Sequence, residues 1–461
     1  MPFIIPANTL ATGGFDVDNS CRFDTASTSH MERSSIDDHT STKKFTMSFW
    51  IKRTTLGTNQ VIFGQRGDAE NNAIVKFKTN DTLEVADLRD DSDALQVVTN
   101  RQFTDVSAWY NIVISSDVSP SSPALKIFVN GVQETSFATS NQYSQNEETS
   151  FNNSYNMWIG ETGHGNSNGD YFSGYLSEFV FIDGYSYNAD SFGEFGEDSG
   201  IWKPIKVSTL TSGTNVCYMQ FEDSSDLGVN SRNDDFTPTN LAAIDQTQDT
   251  CTNNFAVMNS LDNFAAGSAF TEGNCKIVTT NGNITYNTST IGFSSGKWYM
   301  EAKLAGSAGY TVGVVRGGAT ANDNDNKLGN RADGFSYDDG GAVEGNGGDL
   351  GGSFATYQAD DIIGVYADLD NNELYFSKNG ALQNSGTGLA LTAGTYFFAV
   401  GDNNSSNSST YEVNFGNPVS ALSSAVSDGD YGAFEYSTTI TGDSVSKTFK
   451  ALNTKNLAEF G

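Results

Sequence analysis

Apolar and polar residues alternate in short runs along most of the chain, and clusters of Gly, Asn, Asp and Ser separate these runs. In "LKIFVNGVQ" the apolar residues Leu125, Ile127 and Val129 alternate with other residues and are followed by Asn-Gly. The stretch "NNELYFSKNGALQ" repeats this arrangement before Asn379 and Gly380. A period of two is typical of strands with one buried face, and Asn-Gly suits a type I′ turn. Both stretches therefore predict β-hairpins.

Each predicted hairpin follows a strand that contains Trp-Tyr, in "SAWYNIVIS" and in "SGKWYMEAKL". The same order of elements thus occurs twice, and no helical periodicity separates the short strands. This pattern is typical of β-sandwiches. Since 461 residues are too many for one ordinary core, we predict an all-β protein with two antiparallel β-sandwiches of the jelly-roll type in tandem.

The strand pattern weakens between the two series and at both ends of the chain. We predict an N-terminal arm at 1–14, a first sandwich at 15–202, a bridging segment at 203–262, a second sandwich at 263–416 and a C-terminal tail at 417–461. The bridging segment is expected to pack between the two domains, because long structureless loops are uncommon in compact domains. The arm and the tail cannot form cores alone. They are expected to pack on a neighbouring chain or particle, or back on their own sandwiches.

The two series of strands resemble known families. The strands "SFWIKR", "WYNIVIS", "LKIFVNGV" and "YLSEFVFID" resemble a laminin G-like, concanavalin A-type jelly roll. The strands "GKWYMEAKL", "IIGVYADLDNNELYFSKNG" and "YFFAVG" resemble an SPRY-type sandwich. This tandem, with the ends "MPFIIPANTLATGG" and "LNTKNLAEFG", resembles tail-fibre and other virion proteins of marine tailed bacteriophages.

The resemblance implies a structural virion protein, such as a tail fibre, a spike or a capsid-associated fibre, that contributes to recognition of host-surface glycans. Its implied partners are further copies of itself, in a homo-oligomer expected to be a trimer, and other virion proteins. The stretch "MPFIIPANTL" has no basic n-region and no cleavage site. We therefore expect synthesis in the host cytoplasm without a signal peptide and a final location in the virion.

Two other functions fit the same folds: a secreted or cell-surface lectin-like adhesin of a bacterium, and a glycan hydrolase. Retaining glycosidases need two carboxylates on the same side of a cleft. The nearest match is "EVADLRDD", where Glu84 and Asp87 lie three residues apart on a predicted strand and should point to opposite faces. We therefore predict no catalytic residues and no enzymatic activity.

Charge and cysteine content narrow the possible partners. The net charge is −31, from 56 acidic and 25 basic residues, so the chain should repel nucleic acid and anionic lipid. No apolar run approaches the ~20 residues of a membrane span, so membrane insertion is not expected. Cysteines occur at four positions without CxxC spacing, which predicts free and mostly buried thiols and no zinc site; they are Cys21, Cys217, Cys251 and Cys275.

Two Gly-rich loops combine aromatic residues, which cover the apolar side of a sugar ring, with polar residues that bind hydroxyl groups. The predicted ligand-binding residues are Glu161, His164, Asn166, Asp170 and Tyr171 in the first loop and Asp323, Asn326, Arg331 and Tyr337 in the second. Trp158 precedes the first loop in a strand, where a core position is favoured.

No cofactor and no metal-ligand set are predicted. The stretch "ANDNDNK" places Asp323 and Asp325 between asparagines, and such oxygen ligands suit calcium. It lacks the Gly and the distal Glu of an EF-hand. An ordinary polar loop and a calcium site are therefore both open interpretations of this stretch.

Overall fold

The computed structural model describes residues 14–34, 39–90, 92–163, 170–207, 210–232, 235–263, 267–280, 282, 284–306, 309–317, 327–331, 334–406, 408–442 and 445–461. These residues divide between two compact units, one that ends at Thr252 and one that begins at Asn253. Both consist almost entirely of antiparallel strands, with one short α-helix, α1 (Thr454–Phe460), in the described parts of the chain. The predicted all-β fold class is confirmed.

The first unit contains eighteen described strands and two short 3-10 helices, Ala189–Ser191 and Ala243–Asp245. The strands are β1 (Ser20–Phe23), β2 (His30–Arg33), β3 (Lys44–Arg53), β4 (Gln60–Arg66), β5 (Asn72–Phe77), β6 (Thr82–Arg89), β7 (Ser92–Gln102), β8 (Trp109–Asp117), β9 (Lys126–Val129), β10 (Val132–Gln133), β11 (Phe137–Asn141), β12 (Asn156–Ile159), β13 (Gly174–Asp183), β14 (Gly193–Phe195), β15 (Trp202–Pro204), β16 (Cys217–Met219), β17 (Thr237–Thr239) and β18 (Gln246–Thr247).

Two antiparallel sheets form the first sandwich. Sheet I has the order β10-β9-β8-β3-β13-β1-β18, with β16 also paired to β13, and sheet II has the order β11-β7-β6-β5-β4-β12-β2-β17. Alternation along β3 turns Phe45, Met47 and Phe49 into the core between the sheets, where all three are fully buried. Phe63 of β4 stacks against Phe181 of β13 across this core.

The outer face of sheet I is also apolar and is covered by later parts of the chain. Trp50 and Tyr175 on this face belong to one buried cluster with Trp202 of the β14–β15 ribbon and Tyr218 of β16. Because strands of sheet I carry large apolar residues on both faces, each face has to be shielded from water.

Residues 203–262, predicted as a bridging segment, divide between the two units. Up to Thr252 they belong to the first unit, where β16 pairs with β13, β17 with β2 and β18 with β1. From Asn253 onward they belong to the second unit. Strands β16, β17 and β18 have only two or three residues each, which is too short for an alternating pattern to be recognised.

The second unit contains eighteen described strands, two 3-10 helices (Leu328–Asn330 and Asn384–Gly386) and α1. The strands are β19 (Met258–Asn263), β20 (Ala269–Thr271), β21 (Lys276–Val278), β22 (Tyr286–Ser289), β23 (Lys297–Gly306), β24 (Tyr310–Arg316), β25 (Gly334–Asp338), β26 (Val343–Gly345), β27 (Gly348–Asp349), β28 (Ile362–Asp368), β29 (Glu373–Lys378), β30 (Ala381–Leu382), β31 (Leu389–Ala390), β32 (Tyr396–Asp402), β33 (Ser409–Asn414), β34 (Thr439–Gly442), β35 (Val445–Thr448) and β36 (Lys450–Ala451).

The second sandwich packs a seven-stranded sheet III, ordered β19-β22-β32-β24-β25-β26-β27, against sheet IV, ordered β20-β21-β33-β23-β28-β29-β30. Strands β31 and β36 extend sheet IV by pairing with β29 and β23. Trp298 and Met300 of β23 and Val312 of β24 are fully buried between the sheets.

Both predicted hairpins are confirmed. Asn130 and Gly131 have φ angles of 48° and 78°, and Asn379 and Gly380 have 48° and 76°, so both central residues of each turn are left-handed. At Gly380 an added Cβ would lie 2.6 Å from the ring of Tyr436 in the tail. Glycine is thus required there by both the φ angle and the close approach of the ring.

The C-terminal tail packs on its own sandwich, which is one of the two alternatives predicted for it. Phe434 and Phe449 of the tail join Tyr299 and Tyr366 of sheet IV in one buried cluster. The rings of Tyr366 and Phe449 meet edge to face with centroids 5.2 Å apart. Residues 1–13 of the N-terminal arm predicted at 1–14 lie outside the described residues.

Candidate functional site

The outer face of sheet II is polar along strands β2, β12 and β4, which lie side by side. Alternation sends Met31, Met157 and Phe63 into the core. The opposite face carries Glu32, Asn156 and Arg66, among others. Unlike the outer face of sheet I, this face is mostly polar, and much of it can meet a ligand from solvent.

A short segment at 160–163, here called the strap, crosses this face where the first predicted ligand loop begins. A hydrogen bond from Gly160 N to Ile62 O (2.9 Å) holds the start of the strap on β4. A second one, from Val61 N to Asp170 O (2.7 Å), holds the chain where it returns to β4 after the loop. Gly64 of β4 lies directly beneath the strap, since an added Cβ would stand 2.8 Å from Glu161 O. The strap therefore rests on a position where only glycine leaves room.

Two of the predicted residues, Glu161 and Tyr171, come together beside His30 of β2. The His30 Nε2 and Glu161 Oε2 atoms are 3.3 Å apart, and the rings of His30 and Tyr171 have centroids 5.8 Å apart. Burial, and then the Glu161 carboxylate, raise the pKa of Tyr171. Burial also raises the pKa of the nearby Asp170, although Lys76 opposes the shift. His30 was not predicted because nothing in its local sequence suggests a partner so far along the chain.

Next to this cluster lies a depression of about 540 Å³, here called the groove. It is lined by Arg66, Gly67, Asp68, Ser154, Tyr155, Asn156, Trp158 and Gly163. A core position was favoured for Trp158, but its side chain is not in the core between the sheets. It lies on the outer face opposite Gly64 and under the strap. An added Cβ on Gly163 would be 2.6 Å from its ring. The groove thus contains two aromatic rings beside amide, hydroxyl and charged groups.

Backbone contacts hold the charged groups of the groove in place. Arg66 Nε donates to Asp68 O (2.7 Å), and Arg66 Nη1 donates to Gly163 O (3.4 Å). The Asp68 carboxylate accepts from Asn71 Nδ2 and from the backbone of Glu70 and Asn71 at 2.8–3.1 Å. These hydrogen bonds, led by the Asn71 side chain, lower the pKa of Asp68. A ligand in the groove therefore meets a guanidinium group and a carboxylate in fixed positions.

The second predicted loop is only partly described. Tyr337, predicted as a ligand contact, is fully buried in β25 and belongs to the core of the second sandwich. Its ring packs against Phe354, Tyr357 and Phe376, and its hydroxyl donates to Ala355 O. Because β25 has only five residues and lies beside a Gly-rich loop, its alternating pattern is too short to indicate that Tyr337 points inward.

Arg331 follows the 3-10 helix Leu328–Asn330, and its backbone N–H donates to Leu328 O (3.3 Å). Arg331 is partly exposed. Burial raises the pKa of Tyr286, and the charge of Arg331 opposes this shift. The remaining predicted site residues, His164, Asn166, Asp323 and Asn326, lie outside the described residues, as does Asp325 of the candidate calcium stretch. Within the described parts of the chain, no group of three or more His, Cys, Asp or Glu side chains could hold a metal ion.

Glu84 and Asp87 point to opposite faces of β6, as predicted. Glu84 lies on the outer face, where it accepts from Gln96 Nε2 (2.8 Å) and pairs with Lys76 (3.5 Å). Asp87 points inward and accepts from Tyr143 Oη (2.8 Å), and burial raises its pKa to about 6. Two carboxylates separated by a sheet cannot act on one glycosidic bond.

The cysteine prediction is confirmed: all four thiols are free, and three of them are buried. None of the described helices is both long and apolar enough to cross a membrane.

Comparison with protein families identifies both sandwiches. Residues 25–185 match the model of the concanavalin A-like lectin/glucanases superfamily, and residues 297–417 match the SPRY domain model. The chain carries a concanavalin A-like domain followed by an SPRY domain. The SPRY match ends before most of the C-terminal tail, and the concanavalin A-like match ends before strands β14 to β18.

Solved structures resemble parts of the chain at low identity. The SPRY domain of human HERC1 is 19% identical over 30% of this chain and 86% of its own, with a TM-score of 0.26. A heptameric SAP-like pentraxin from Limulus polyphemus is 13% identical over 50% of this chain and 98% of its own, with a TM-score of 0.29. No curated protein matches the sequence significantly.

Proposed function

We propose that the protein is a non-enzymatic, lectin-like attachment protein that binds glycans of a host surface through the groove. The observation that carries this proposal is the composition of the groove, where Trp158 and Tyr155 lie beside Arg66, Asn156 and Ser154. The match of the first domain to a superfamily named for lectins and glucanases supports the same class of ligand.

The chemistry of the groove suits a sugar ring. Aromatic faces cover the apolar C–H side of a pyranose, while amide, hydroxyl and charged groups exchange hydrogen bonds with its hydroxyls. Tyr155 is held close against the backbone of Gly67. A ring that is already immobilised loses little entropy when a ligand binds.

We further propose that this recognition serves a virion of a tailed bacteriophage, in a tail fibre, a spike or a capsid-associated fibre. Support comes from the tandem of domains and from the resemblance of the chain's ends to such proteins. In a homo-oligomer, expected to be a trimer, several weak glycan contacts would act together and raise the effective affinity about 10²- to 10⁴-fold.

Glycan binding is tested with the purified chain on an array of neutral and acidic polysaccharides. We expect binding to at least one class and a loss of about tenfold or more in Tyr155→Ala, equivalent to roughly 1.4 kcal/mol. Tyr185→Ala is the matched control, because Tyr185 is an exposed tyrosine of the same unit and is not among the groove residues. Absence of glycan binding, or equal losses in both variants, would disprove the proposed site.

The location and the absence of catalysis have separate tests. Mass spectrometry of purified particles should detect the chain, and its absence would favour the bacterial adhesin instead. Incubation with β-glucans and host polysaccharide should release no reducing sugar. Release that Glu84→Gln abolishes would show that the protein is a hydrolase.

A further inference from the structure

Arg66 is positioned in the groove without an ion pair to any described carboxylate. Its two described hydrogen bonds go to backbone carbonyls, from Nε to Asp68 O (2.7 Å) and from Nη1 to Gly163 O (3.4 Å). The carbonyl oxygens orient the guanidinium plane, and the charge of Arg66 acts on the nearby Asp68 carboxylate without a direct ion pair. The Asp68 side chain does not serve as its partner, because it accepts hydrogen bonds within its own turn.

Four other arginines of the first unit are used differently, whereas the buried Arg33 donates to Val216 O and Asn215 Oδ1. Arg22, Arg53, Arg89 and Arg101 each pair with a carboxylate. Such pairing is expected in a chain with 56 acidic and 25 basic residues. Arg66 differs from these arginines because it lines a groove that is open to solvent.

We infer that the groove recognises a glycan that carries carboxylates, such as a polymer of uronic or sialic acids; this inference rests on the proposed function. A guanidinium group binds a carboxylate through two parallel N–H donors, and Arg66 has Nη2 with no described acceptor beside Nη1. Tyr155 would pack on the sugar ring, next to the mostly buried Trp158, while Arg66 binds its carboxylate.

The acidic surface makes this recognition selective. A net charge of −31 repels polyanions in general, so an anionic ligand binds only where a local cation compensates for the repulsion. Binding of an acidic glycan thus combines repulsion by the acidic surface with attraction by Arg66, and salt affects these two contributions differently. Salt screens the exposed surface charges more than the contact inside the groove, so moderate salt should weaken binding less than it weakens binding to a basic protein.

The test compares each acidic polysaccharide with its own uncharged form. Polygalacturonate, alginate and polysialic acid are immobilised beside their methyl esters, with dextran and laminarin as neutral polymers. We expect the full chain to bind at least one acidic polymer at least tenfold more tightly than its ester. Arg66→Gln should remove most of this difference, since a charge-assisted hydrogen bond contributes about tenfold or more to affinity. Arg66→Lys should retain part of it.

Arg101→Gln is the matched control, because Arg101 is a partly exposed arginine of the same unit that pairs with Glu134 and does not line the groove. Equal binding of acid and ester forms, or of neutral polymers alone, would overturn the inference while the proposed function stands. Failure to bind any polymer would overturn both. If Arg66→Gln lowers the midpoint of unfolding, its loss of binding can come from unfolding. The ratio of acid to ester affinity in the unmodified chain then decides whether the inference stands.

Discussion

The outer faces of sheets II and IV differ in the residues that alternation turns outward. Sheet IV presents Tyr299 and Tyr366, which the C-terminal tail buries with Phe434 and Phe449. Sheet II presents polar residues such as Glu32 and Asn156, and the strap crosses it. The outward residues of a sandwich therefore decide whether a face requires a cover or is available to a ligand.

Polar contacts fix the position of the C-terminal tail on sheet IV. Glu301, which is almost fully buried, accepts from the backbone N–H groups of Glu435 (2.9 Å) and Tyr436 (2.8 Å) and from Tyr299 Oη (3.0 Å). Burial raises its pKa, while these hydrogen bonds oppose the shift. Lys447 of the tail pairs with Asp368 (3.0 Å) and with Glu373. A buried carboxylate that binds two consecutive N–H groups specifies where the tail must lie.

Removing an aromatic ring from this cover should have the largest effect on stability. Phe449 is fully buried against Tyr366 and Tyr375. Phe449→Ala should lower the free energy of unfolding by about 3–5 kcal/mol, because it leaves a cavity in an aromatic cluster. Denaturant titration measures the loss, and hydrogen exchange should locate increased opening in the tail and in sheet IV.

Leu350→Ala provides the control for this variant, since Leu350 is an exposed apolar residue of the same unit. A loss below about 1 kcal/mol in Phe449→Ala would mean that the tail is not needed to shield sheet IV, and the contrast with sheet II would then lose its physical basis.

Glu178 is a buried acid beneath the later parts of the chain that cover sheet I, and it should make the stability of the protein depend on pH. Glu178 lies at a bulge in β13 with a positive φ of 49° and accepts from Tyr218 Oη. Burial raises its pKa from 4.5 to about 7; the Tyr218 hydrogen bond opposes the shift, and the charges of Glu222 and Asp18 add to it. Cys251 also faces this carboxyl group.

The sign of the effect follows from this raised pKa. Between pH 4.5 and 7 the folded chain keeps a proton on Glu178 that the unfolded chain has released. Stability should therefore fall as pH rises through this window, by at most about 3 kcal/mol, and stay low above it. Glu178→Gln should flatten the curve and be the more stable form at pH 8. Glu197→Gln, at an exposed position of the same unit, should change neither the pH dependence of stability nor the stability at pH 8. An unchanged slope in Glu178→Gln would contradict the assignment.

Much of the fold could be predicted because the long strands and the Asn-Gly turns carry strong local patterns. The short strands β16 to β18 and the position of the tail could not, since they depend on pairings between distant parts of the chain. At the site, Glu161 and Tyr171 were predicted from loop composition, but their contact with His30 was not. Arg66 was not predicted, because the groove forms only when β4 and β12 are paired.

The smallest expected effect on stability comes from the position where the strap rests on sheet II. Gly64→Ala would place a Cβ 2.8 Å from Glu161 O and 3.1 Å from Thr162 Cα, without a positive φ that would add backbone strain. The strap should shift away from the sheet, with a loss of about 1 kcal/mol or less in global stability. Hydrogen exchange at 160–163 should nevertheless rise clearly.

This change would also move Gly163 O, one of the two carbonyl oxygens that orient Arg66. Glycan affinity should therefore fall in Gly64→Ala more than stability does, because a shift of a few tenths of an ångström misaligns the guanidinium group without unfolding the sheet. Gly340→Ala is the matched control, since its Cβ would meet nothing within 4 Å. If affinity is unchanged while exchange at the strap rises, the strap does not position Arg66, and the open face of sheet II binds its ligand without it.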